Sequence, residues 1–179
     1  MGRIVLLRHG ATESNAAGHF LSTADPSLSE DGREACRNAA PALRALALTH
    51  CLVSPMRRAL ETRAIVAPHL PYEVCEALRE VDFGDWEGKT LEWIERNDAE
   101  RLAHRRRDPV RFRPPGGESF ADAEPRLRSV VATLPPDADV LVIAHRGSLG
   151  VLERILRGLA LDAKEVTPLE PAEFRIVRG

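Results

Sequence analysis

Two residues with chemical potential, Arg8 and His9, stand side by side at the end of an apolar run near the start of the chain. The run RIVLL before them has the aliphatic and β-branched composition of a strand buried on both faces. Small and polar residues follow at once. A guanidinium beside an imidazole at a strand end predicts a binding site for an anion.

Two further basic residues follow strand-like runs in the same manner. His145 comes directly after the apolar run DVLVIA, and Arg57 comes shortly after the run HCLV. Ligands of open α/β sheets bind outside the carboxyl ends of the strands. We therefore expect these two residues to meet Arg8 and His9 at one edge of one sheet.

Such a group of side chains can carry out phosphoryl transfer to an imidazole nitrogen. A neutral histidine would attack phosphorus, while the arginines and the second histidine hold the charged oxygens. A general acid must then protonate the leaving oxygen. Glu80, in the stretch ALREVDFGDWEG, is the candidate, and Asp82, Asp85 and Glu87 of the same stretch compete with it.

The elements that must position these residues alternate along the chain. Strand-like runs occur at 3–7, 50–53, 139–144 and 174–177. Helical patterns separate them. The order of strands and helices predicts an α/β sandwich with a mostly parallel sheet.

Capping residues and apolar spacing predict where the helices begin. One should start after Ser29 and be kinked or split by Pro41, and a second should start at Ser54-Pro55. A third should start near Asp122, and a last one should span about 148–156.

The 179 residues form one expected domain over 1–179, since neither a linker nor an internal repeat is visible. The middle of the chain, 96–119, is charged, is predicted to be rich in loops, and ends in RPPGGES. Its length favours a lid or a substrate-facing excursion over a simple connection.

Composition excludes several classes of partner. Apolar residues make up 44% and charged residues 29%, and the net charge of −2 favours neither nucleic acid nor a membrane. The basic run at 104–113 has a single aromatic residue, so it is interpreted as a solvated face or a lid that attracts anions. Three cysteines without a CxxC pair, and no secretory signal, predict a cytoplasmic protein with reduced thiols.

Five ordered motifs resemble the histidine phosphatase superfamily, in its phosphoglycerate mutase-like branch. They are RHGATESN, SPMRRALET, LREVDFGDWEG, PPGGES and IAHRG, and they extend over nearly the whole chain. The resemblance implies a three-layer α/β/α fold with a mostly parallel central sheet. It also implies a phosphohistidine intermediate formed without metal or cofactor.

The resemblance assigns a role to each candidate. His9 would be the nucleophile and Glu80, rather than its acidic neighbours, the acid and base. The implied phosphate pocket consists of Arg8, Arg57 and His145. Arg58, beside Arg57, would face solvent.

Three more residues are candidates for binding substrate. Asn15 would support the phosphate or its loop, and Ser119 would either touch substrate or cap a helix. Arg146 stands where the family has the first glycine of a His-Gly-Gly turn. It would reach a second anionic group of the substrate or point outward.

The resemblance therefore implies a phosphoric monoester hydrolase, closest in wording to the broad-specificity and α-ribazole phosphatase-type members, acting on a small phosphorylated substrate. A phosphoglycerate mutase-type phosphotransferase is the first alternative. A phosphoprotein phosphatase and a non-catalytic phospho-ligand binder are the others. The terminal strand at 174–177 could pair with a second copy, so a homodimer stays open.

Overall fold

The computed structural model describes residues 2–135 and 137–178 and places a five-stranded sheet at the centre. The strands are β1 (Ile4–Arg8), β2 (His50–Val53), β3 (Tyr72–Val74), β4 (Val140–Ala144) and β5 (Phe174–Arg178). Their order is β3-β2-β4-β1-β5. The first four are parallel and β5 runs antiparallel to β1, so the predicted mostly parallel sheet is confirmed.

Helices occupy most of the connections. They are α1 (Glu13–Ala16), α2 (Glu30–Ala45), α3 (Arg57–Val66), α4 (Leu91–Asn97), α5 (Ala99–Arg107), α6 (Phe120–Thr133) and α7 (Arg146–Leu156). Two 3₁₀ turns, Glu76–Leu78 and Gly84–Trp86, flank the stretch that carries Glu80. In the described part of the chain, none of the helices is both long and apolar enough to cross a membrane.

Alternation along β1 shows how the layers form. Ile4 and Leu6 face one side and join the core that includes Leu127 of α6 and Leu152 of α7. Val5 and Leu7 face the other side, where the core includes side chains of α2 and α3. All side chains of β1 are buried because helices cover both faces of the sheet. The three-layer α/β/α prediction is confirmed.

Strand register aligns the carboxyl ends that matter for the site. Arg8, the last residue of β1, pairs with Ala144, the last residue of β4. Val53 at the end of β2 pairs with Ile143 of the same strand. The residues after β1, β2 and β4 therefore leave the sheet at one edge, as expected.

Two proline effects differ from the predictions. Pro41 does not split α2, which runs without interruption past it. Helix α6 begins at Phe120 rather than near Asp122, because the hydroxyl of Ser119 caps it, and Pro125 is accommodated beyond the first turn. Both prolines are exposed.

The charged middle of the chain is more regular than predicted. Helix α5 and the end of α4 lie in the stretch expected to be loop-rich. Each buries only one residue, Ile94 in α4 and Leu102 in α5, against Trp86 and Phe112. A single buried residue per helix leaves almost no apolar periodicity, which is why the pattern did not indicate helices.

Candidate active site

His9 lies directly after β1 and is almost fully buried, with 3% of its surface exposed. Its main-chain N–H donates to the Ala144 carbonyl at 3.0 Å, which extends the β1–β4 ladder to this residue. Its Nδ1 lies 2.7 Å from the Gly10 carbonyl oxygen. Because that carbonyl can only accept, Nδ1 carries the proton and Nε2 keeps its lone pair. The ring is thus held in the tautomer that a nucleophile at Nε2 requires.

His145 lies beside His9, since the register places the ends of β1 and β4 together. The two ring centroids are 5.0 Å apart. Nε2 of His145 is 2.7 Å from the hydroxyl of Ser54, which follows β2. Its Nδ1 is buried and has no hydrogen-bond partner among residues 2–135 and 137–178. One nitrogen of His145 is therefore fixed and the other is free for a ligand.

Two arginines complete the cationic side of the site. Arg8 donates to the Leu169 carbonyl at 2.9 Å and lies 3.9 Å from the Glu170 carboxylate. Arg58 donates to the carbonyls of Ser22 at 3.2 Å and Ala24 at 2.9 Å. Each guanidinium thus donates to neutral carbonyls and lies farther from a carboxylate, which for Arg58 is that of Asp25 at 3.5 Å.

Buried donors without partners converge here. Within the described residues, four buried side-chain nitrogen atoms lack a hydrogen-bond partner, and three of them are Arg8 Nε, Arg58 Nε and His145 Nδ1. Buried polar groups are nearly always hydrogen-bonded, so such a cluster calls for an explanation. An anion with several acceptor oxygens, such as a phosphate group, would satisfy both arginine Nε–H donors and the Nδ1–H tautomer of His145.

The expected placement of Arg57 and Arg58 is wrong. Arg57 is the exposed residue, and its guanidinium pairs with Glu61 one turn further along α3 at 2.8 Å. Its side chain is 62% exposed, whereas that of Arg58 is fully buried. Helix α3 begins at Arg57 and turns Arg58, together with Thr62, toward the interior. Spacing alone did not contain this signal, because the burial of Thr62, one helical turn after Arg58, is visible only in the structure.

A loop that the sequence interpretation passed over aims Arg58. The carboxylate of Glu87 accepts hydrogen bonds from the main-chain N–H and the hydroxyl of Ser22 and from the N–H of Ala24. The carbonyls of these two loop residues are the ones that bind Arg58. Glu87 therefore holds the loop that in turn holds Arg58.

Glu80 lies opposite, at the first turn of α7. Its carboxylate accepts hydrogen bonds from the main-chain N–H of Val81 at 2.9 Å, of Gly147 at 3.1 Å and of Ser148 at 2.9 Å. A Cβ atom on Gly147 would stand 2.7 Å from Glu80 Oε1, so glycine at this position leaves room for the carboxylate. The same helix begins directly after His145, which brings the carboxylate to the two histidines.

The structure gives each of the three remaining candidates a different setting. The side-chain carbonyl of Asn15 accepts hydrogen bonds from the N–H and hydroxyl of Thr12 and so closes the turn before α1. Ser119 is buried and forms a reciprocal cap with Asp122 at the start of α6, so capping is the role the structure gives it. Arg146 is exposed at the start of α7, and its charge helps to lower the pKa of Arg8.

Burial and the local charges keep both histidines neutral. Burial lowers the pKa of His9 to about 3, and the positive charges of Arg58 and Arg8 act in the same direction. Burial also holds the pKa of His145 well below its usual value. Both arginines have lowered pKa values through burial but stay charged. The site therefore offers neutral imidazoles among permanent cations, which suits attack on an anionic electrophile.

These shifts predict a stability that falls with acid. Below pH ~6.5 the unfolded chain binds a proton on each of the two histidines, while the folded protein does not until the pH approaches the lowered pKa values. Each histidine should therefore remove about 1.4 kcal/mol from the free energy of unfolding per pH unit below that point. Above it the contribution of the two groups is constant.

Urea unfolding between pH 7.5 and 4.5 tests this expectation. The free energies of the natural protein and of His9→Asn should diverge with pH, because the variant lacks one of the two protons taken up on unfolding. His145→Asn should behave in the same way. Parallel curves for the natural protein and both variants would contradict the lowered pKa values.

No group of three or more His, Cys, Asp and Glu side chains placed to hold a metal ion occurs in the described ranges, 2–135 and 137–178. The side chains brought together at the site are two neutral imidazoles, two buried guanidiniums and one carboxylate.

Comparison with known proteins agrees with this geometry. The family model of the histidine phosphatase superfamily (branch 1) matches residues 4–179. A glucosyl-3-phosphoglycerate phosphatase from Mycolicibacterium vanbaalenii is 35% identical over 173 residues, covering 89% of this chain and 76% of that protein. A 6-phosphofructo-2-kinase/fructose-2,6-bisphosphatase from Gallus gallus is 35% identical over 151 residues, 83% of this chain but 31% of that protein.

Solved structures show the same similarity over almost the whole chain. A mycobacterial glucosyl-3-phosphoglycerate phosphatase in complex with VO3 superimposes with a TM-score of 0.88 at 30% identity, covering 97% of this chain and 90% of that one. The α-ribazole phosphatase from Shigella flexneri gives a TM-score of 0.86 at 26% identity, covering 96% and 88%. The chain belongs to branch 1 of the histidine phosphatase superfamily and is a hydrolase of phosphomonoesters.

Proposed function

We propose that His9 is the nucleophile of this hydrolase and that the reaction needs no metal ion. The observation that carries the proposal is the neutral imidazole of His9 with its Nδ1 proton donated to Gly10, next to three unpartnered buried donors. Nε2 of His9 attacks the phosphorus atom, and the bond from phosphorus to the ester oxygen breaks. Glu80 gives its proton to the departing oxygen.

The second half of the reaction restores the enzyme. Glu80, now ionised, takes a proton from a water molecule, and the water oxygen attacks the phosphohistidine. The bond from phosphorus to Nε2 breaks, inorganic phosphate forms, and His9 returns to its neutral state. In both halves Arg8, Arg58 and His145 stabilise the charge on the non-bridging oxygens.

Two arginines near the mouth of the site favour a substrate with a second anionic group. Arg146, exposed at the start of α7, has no carboxylate within ion-pair distance among residues 2–135 and 137–178. Arg105 of α5 is half-buried over the rings of Phe20 at 5.1 Å and Trp86 at 5.7 Å. Burial lowers the pKa of Arg105, and the charge of Arg146 acts in the same direction, so the two cations repel each other.

The surroundings of Arg105 and Arg146 support the same conclusion. Arg105 lines a small cavity with Val81, and the side chain of Val81 also adjoins Gly147, next to Arg146. Two neighbouring cations repel each other, and an anion bound between them would relieve that repulsion. We therefore assign phosphoesters that also carry a carboxylate as the substrate class. The phosphoglycerate ester in the name of the mycobacterial relative belongs to that class.

The experiment that tests the function is phosphate release from a panel of small phosphoesters in the presence of EDTA. Turnover that persists in EDTA supports the proposal, and turnover that metal ions alone restore contradicts it. Isomerisation of phosphoglycerates with a bisphosphate primer, without phosphate release, would identify the mutase alternative. Release only from phosphopeptides would identify a phosphoprotein phosphatase, and binding without turnover a phospho-ligand binder.

The substrate class has its own test. The matched esters 3-phosphoglycerate and glycerol 3-phosphate differ in a carboxylate against a hydroxymethyl group. Loss of one charge-assisted hydrogen bond, worth ~1.5–3 kcal/mol, predicts that Arg146→Gln lowers kcat/KM for the first ester about tenfold or more. The second ester should change less than about twofold, because it makes no ion pair there.

A control in the same region separates this effect from general loss of positive charge. Arg106 of α5 is paired with Glu95 at 2.6 Å, so Arg106→Gln removes the same charge without removing a free cation. It should leave both esters unaffected. Equal losses on both esters in Arg146→Gln would overturn the substrate assignment while leaving the phosphatase proposal intact.

Other partners stay proposals. Within the basic run, Arg106, Arg111 and Arg113 are paired with carboxylates, so only part of its charge is available to a nucleic acid. Cys36, Cys51 and Cys75 are free thiols, in keeping with a cytoplasmic protein. We place the stretch 96–119 at the substrate entrance as a wall of the site, since Arg105 lies there.

A further inference from the structure

Arg126 of α6 binds the main chain that leads into Glu80. Its guanidinium donates to the carbonyls of Ala77 at 2.5 Å, of Arg79 at 3.0 Å and of Glu80 itself at 3.4 Å. These carbonyls lie within and directly after the 3₁₀ turn that precedes Glu80. One guanidinium therefore holds the main chain that leads into Glu80.

Glu118 in turn fixes Arg126. The two carboxylate oxygens of Glu118 accept from Arg126 Nε at 3.0 Å and from its terminal nitrogen at 2.7 Å, a two-pronged pair that sets the plane of the guanidinium. Both side chains are largely buried, with 25% and 22% exposed. Glu118 is the acidic residue of the PPGGES motif, to which neither the nucleophile nor the phosphate pocket gives a role.

The loop that carries Glu118 is joined to the loop that follows Glu80. The N–H of Glu118 donates to the Asp82 carbonyl, and the N–H of Asp85 donates to the Pro115 carbonyl, both at 2.8 Å. A Cβ atom on Gly84 would stand 2.1 Å from the Pro115 carbonyl oxygen, and one on Gly117 2.5 Å from that of Asp82. Glycines at these two positions therefore allow the main chains of the two loops to touch.

We propose that Glu118 and Arg126 act as a positioning pair for the general acid, holding the Glu80 carboxyl where it can protonate the leaving oxygen. Main-chain contacts hold the residues after Glu80, and the positioning pair holds those before it. Neither residue touches the phosphate group. This inference rests on the proposed role of Glu80.

The role predicts a dependence on the leaving group. An alkyl phosphoester leaves as a strongly basic alkoxide and needs the proton of Glu80, whereas p-nitrophenyl phosphate leaves as a weakly basic phenoxide that departs without it. A misplaced acid should therefore slow only the first kind of substrate. A pair that merely stabilised the fold would slow both kinds equally.

The experiment compares kcat/KM for glycerol 3-phosphate and p-nitrophenyl phosphate in Arg126→Gln and Glu118→Gln. General acid catalysis contributes ~10²–10⁴-fold, and partial misplacement should cost about 10–100-fold on the alkyl ester and less than about threefold on the aryl ester. Arg128→Gln is the matched control and should leave both values unchanged. Arg128 is an exposed residue of the same helix and is paired with Glu124.

Variants of Glu80 test whether the positioning pair acts through the carboxyl of that residue. Glu80→Gln should show the same selectivity, and adding Arg126→Gln to it should cause no further loss on the alkyl ester if both act through one proton. Equal losses on both esters would overturn the positioning role. If Arg126→Gln does not fold, Glu118→Gln and Arg126→Lys give the same comparison. Failure of the natural protein to hydrolyse either ester would overturn the proposed function instead.

Discussion

His9→Ala should lower the rate of phosphate release by at least about a thousandfold, because the phosphoryl group then has no acceptor nitrogen. Removal of a single nucleophile from an enzyme that forms a covalent intermediate typically costs ~10³–10⁶ in kcat. We expect that the neighbouring His145 does not replace it, since its Nε2 is engaged by Ser54 and its Nδ1 is assigned above as a donor to the phosphate. The imidazole of His9 is also the one whose tautomer the Gly10 carbonyl fixes.

Labelling of the intermediate provides the most direct measurement. A phosphoester labelled in its phosphoryl group, mixed with the natural protein and quenched in alkali, should leave label on the protein that acid then releases, as expected of a phosphohistidine. His9→Ala should carry none. His145→Ala should still be labelled, more slowly, because it loses a donor to the phosphate and not the nucleophile. Label on His9→Ala would assign the nucleophile elsewhere.

Arg58→Gln should cost ~10²–10³ in kcat/KM, the usual effect of removing one donor that stabilises transition-state charge. Arg58 lies fully buried with its Nε unpartnered, and its charge lowers the pKa of both His9 and His145. Those observations place it against the reacting group. Arg57→Gln should change kcat/KM by less than about threefold, since an exposed pair such as Arg57–Glu61 contributes only ~0.3–0.5 kcal/mol and lies outside the site.

Stability must be measured beside activity for these two variants. Arg58→Gln leaves at least one of the carbonyls of Ser22 and Ala24 without a donor, at a cost of ~1–3 kcal/mol. A folded Arg58→Gln with normal kcat/KM, or an inactive Arg57→Gln, would reverse the assignment. Affinity for inorganic phosphate should follow the same order as kcat/KM, because both depend on the same donors.

Deep burial of the site determines which of its side chains carry a charge. Burial removes the proton from both histidines, whereas the arginines keep their charge under the same conditions. A shallower site would leave His9 partly protonated near neutral pH and unable to attack. The cost is the acid-sensitive stability predicted above.

The sequence alone determined the parts of the protein that depend on short, strongly marked patterns. The buried strands β1 and β4 are continuous apolar runs, and parallel strands end at a common edge, so His9 and His145 could be placed beside each other before any coordinates existed. The ordered motifs assigned Glu80 among four acidic residues and predicted the three-layer fold. A capping serine marked the start of α2, and the predicted end of α7 at residue 156 is confirmed.

Only the tertiary structure decided which of two adjacent arginines enters the site. Neighbouring residues on a helix point about 100° apart, so a shift of the helix start by one or two residues exchanges the buried and exposed positions. The sequence placed that start at Ser54-Pro55, and the helix begins at Arg57. The edge strand β3 was not predicted, because its exposed Tyr72 and Val74 lack the pattern of a buried strand.

Contacts between distant segments were equally invisible in the sequence. Glu87 meets the loop at Ser22, and Glu118 meets Arg126 on the way to Glu80, through contacts that no local spacing encodes. Local patterns report whether a residue is buried and in which kind of element. The partner that a buried charge finds depends on how separate elements pack, and the fold alone sets that.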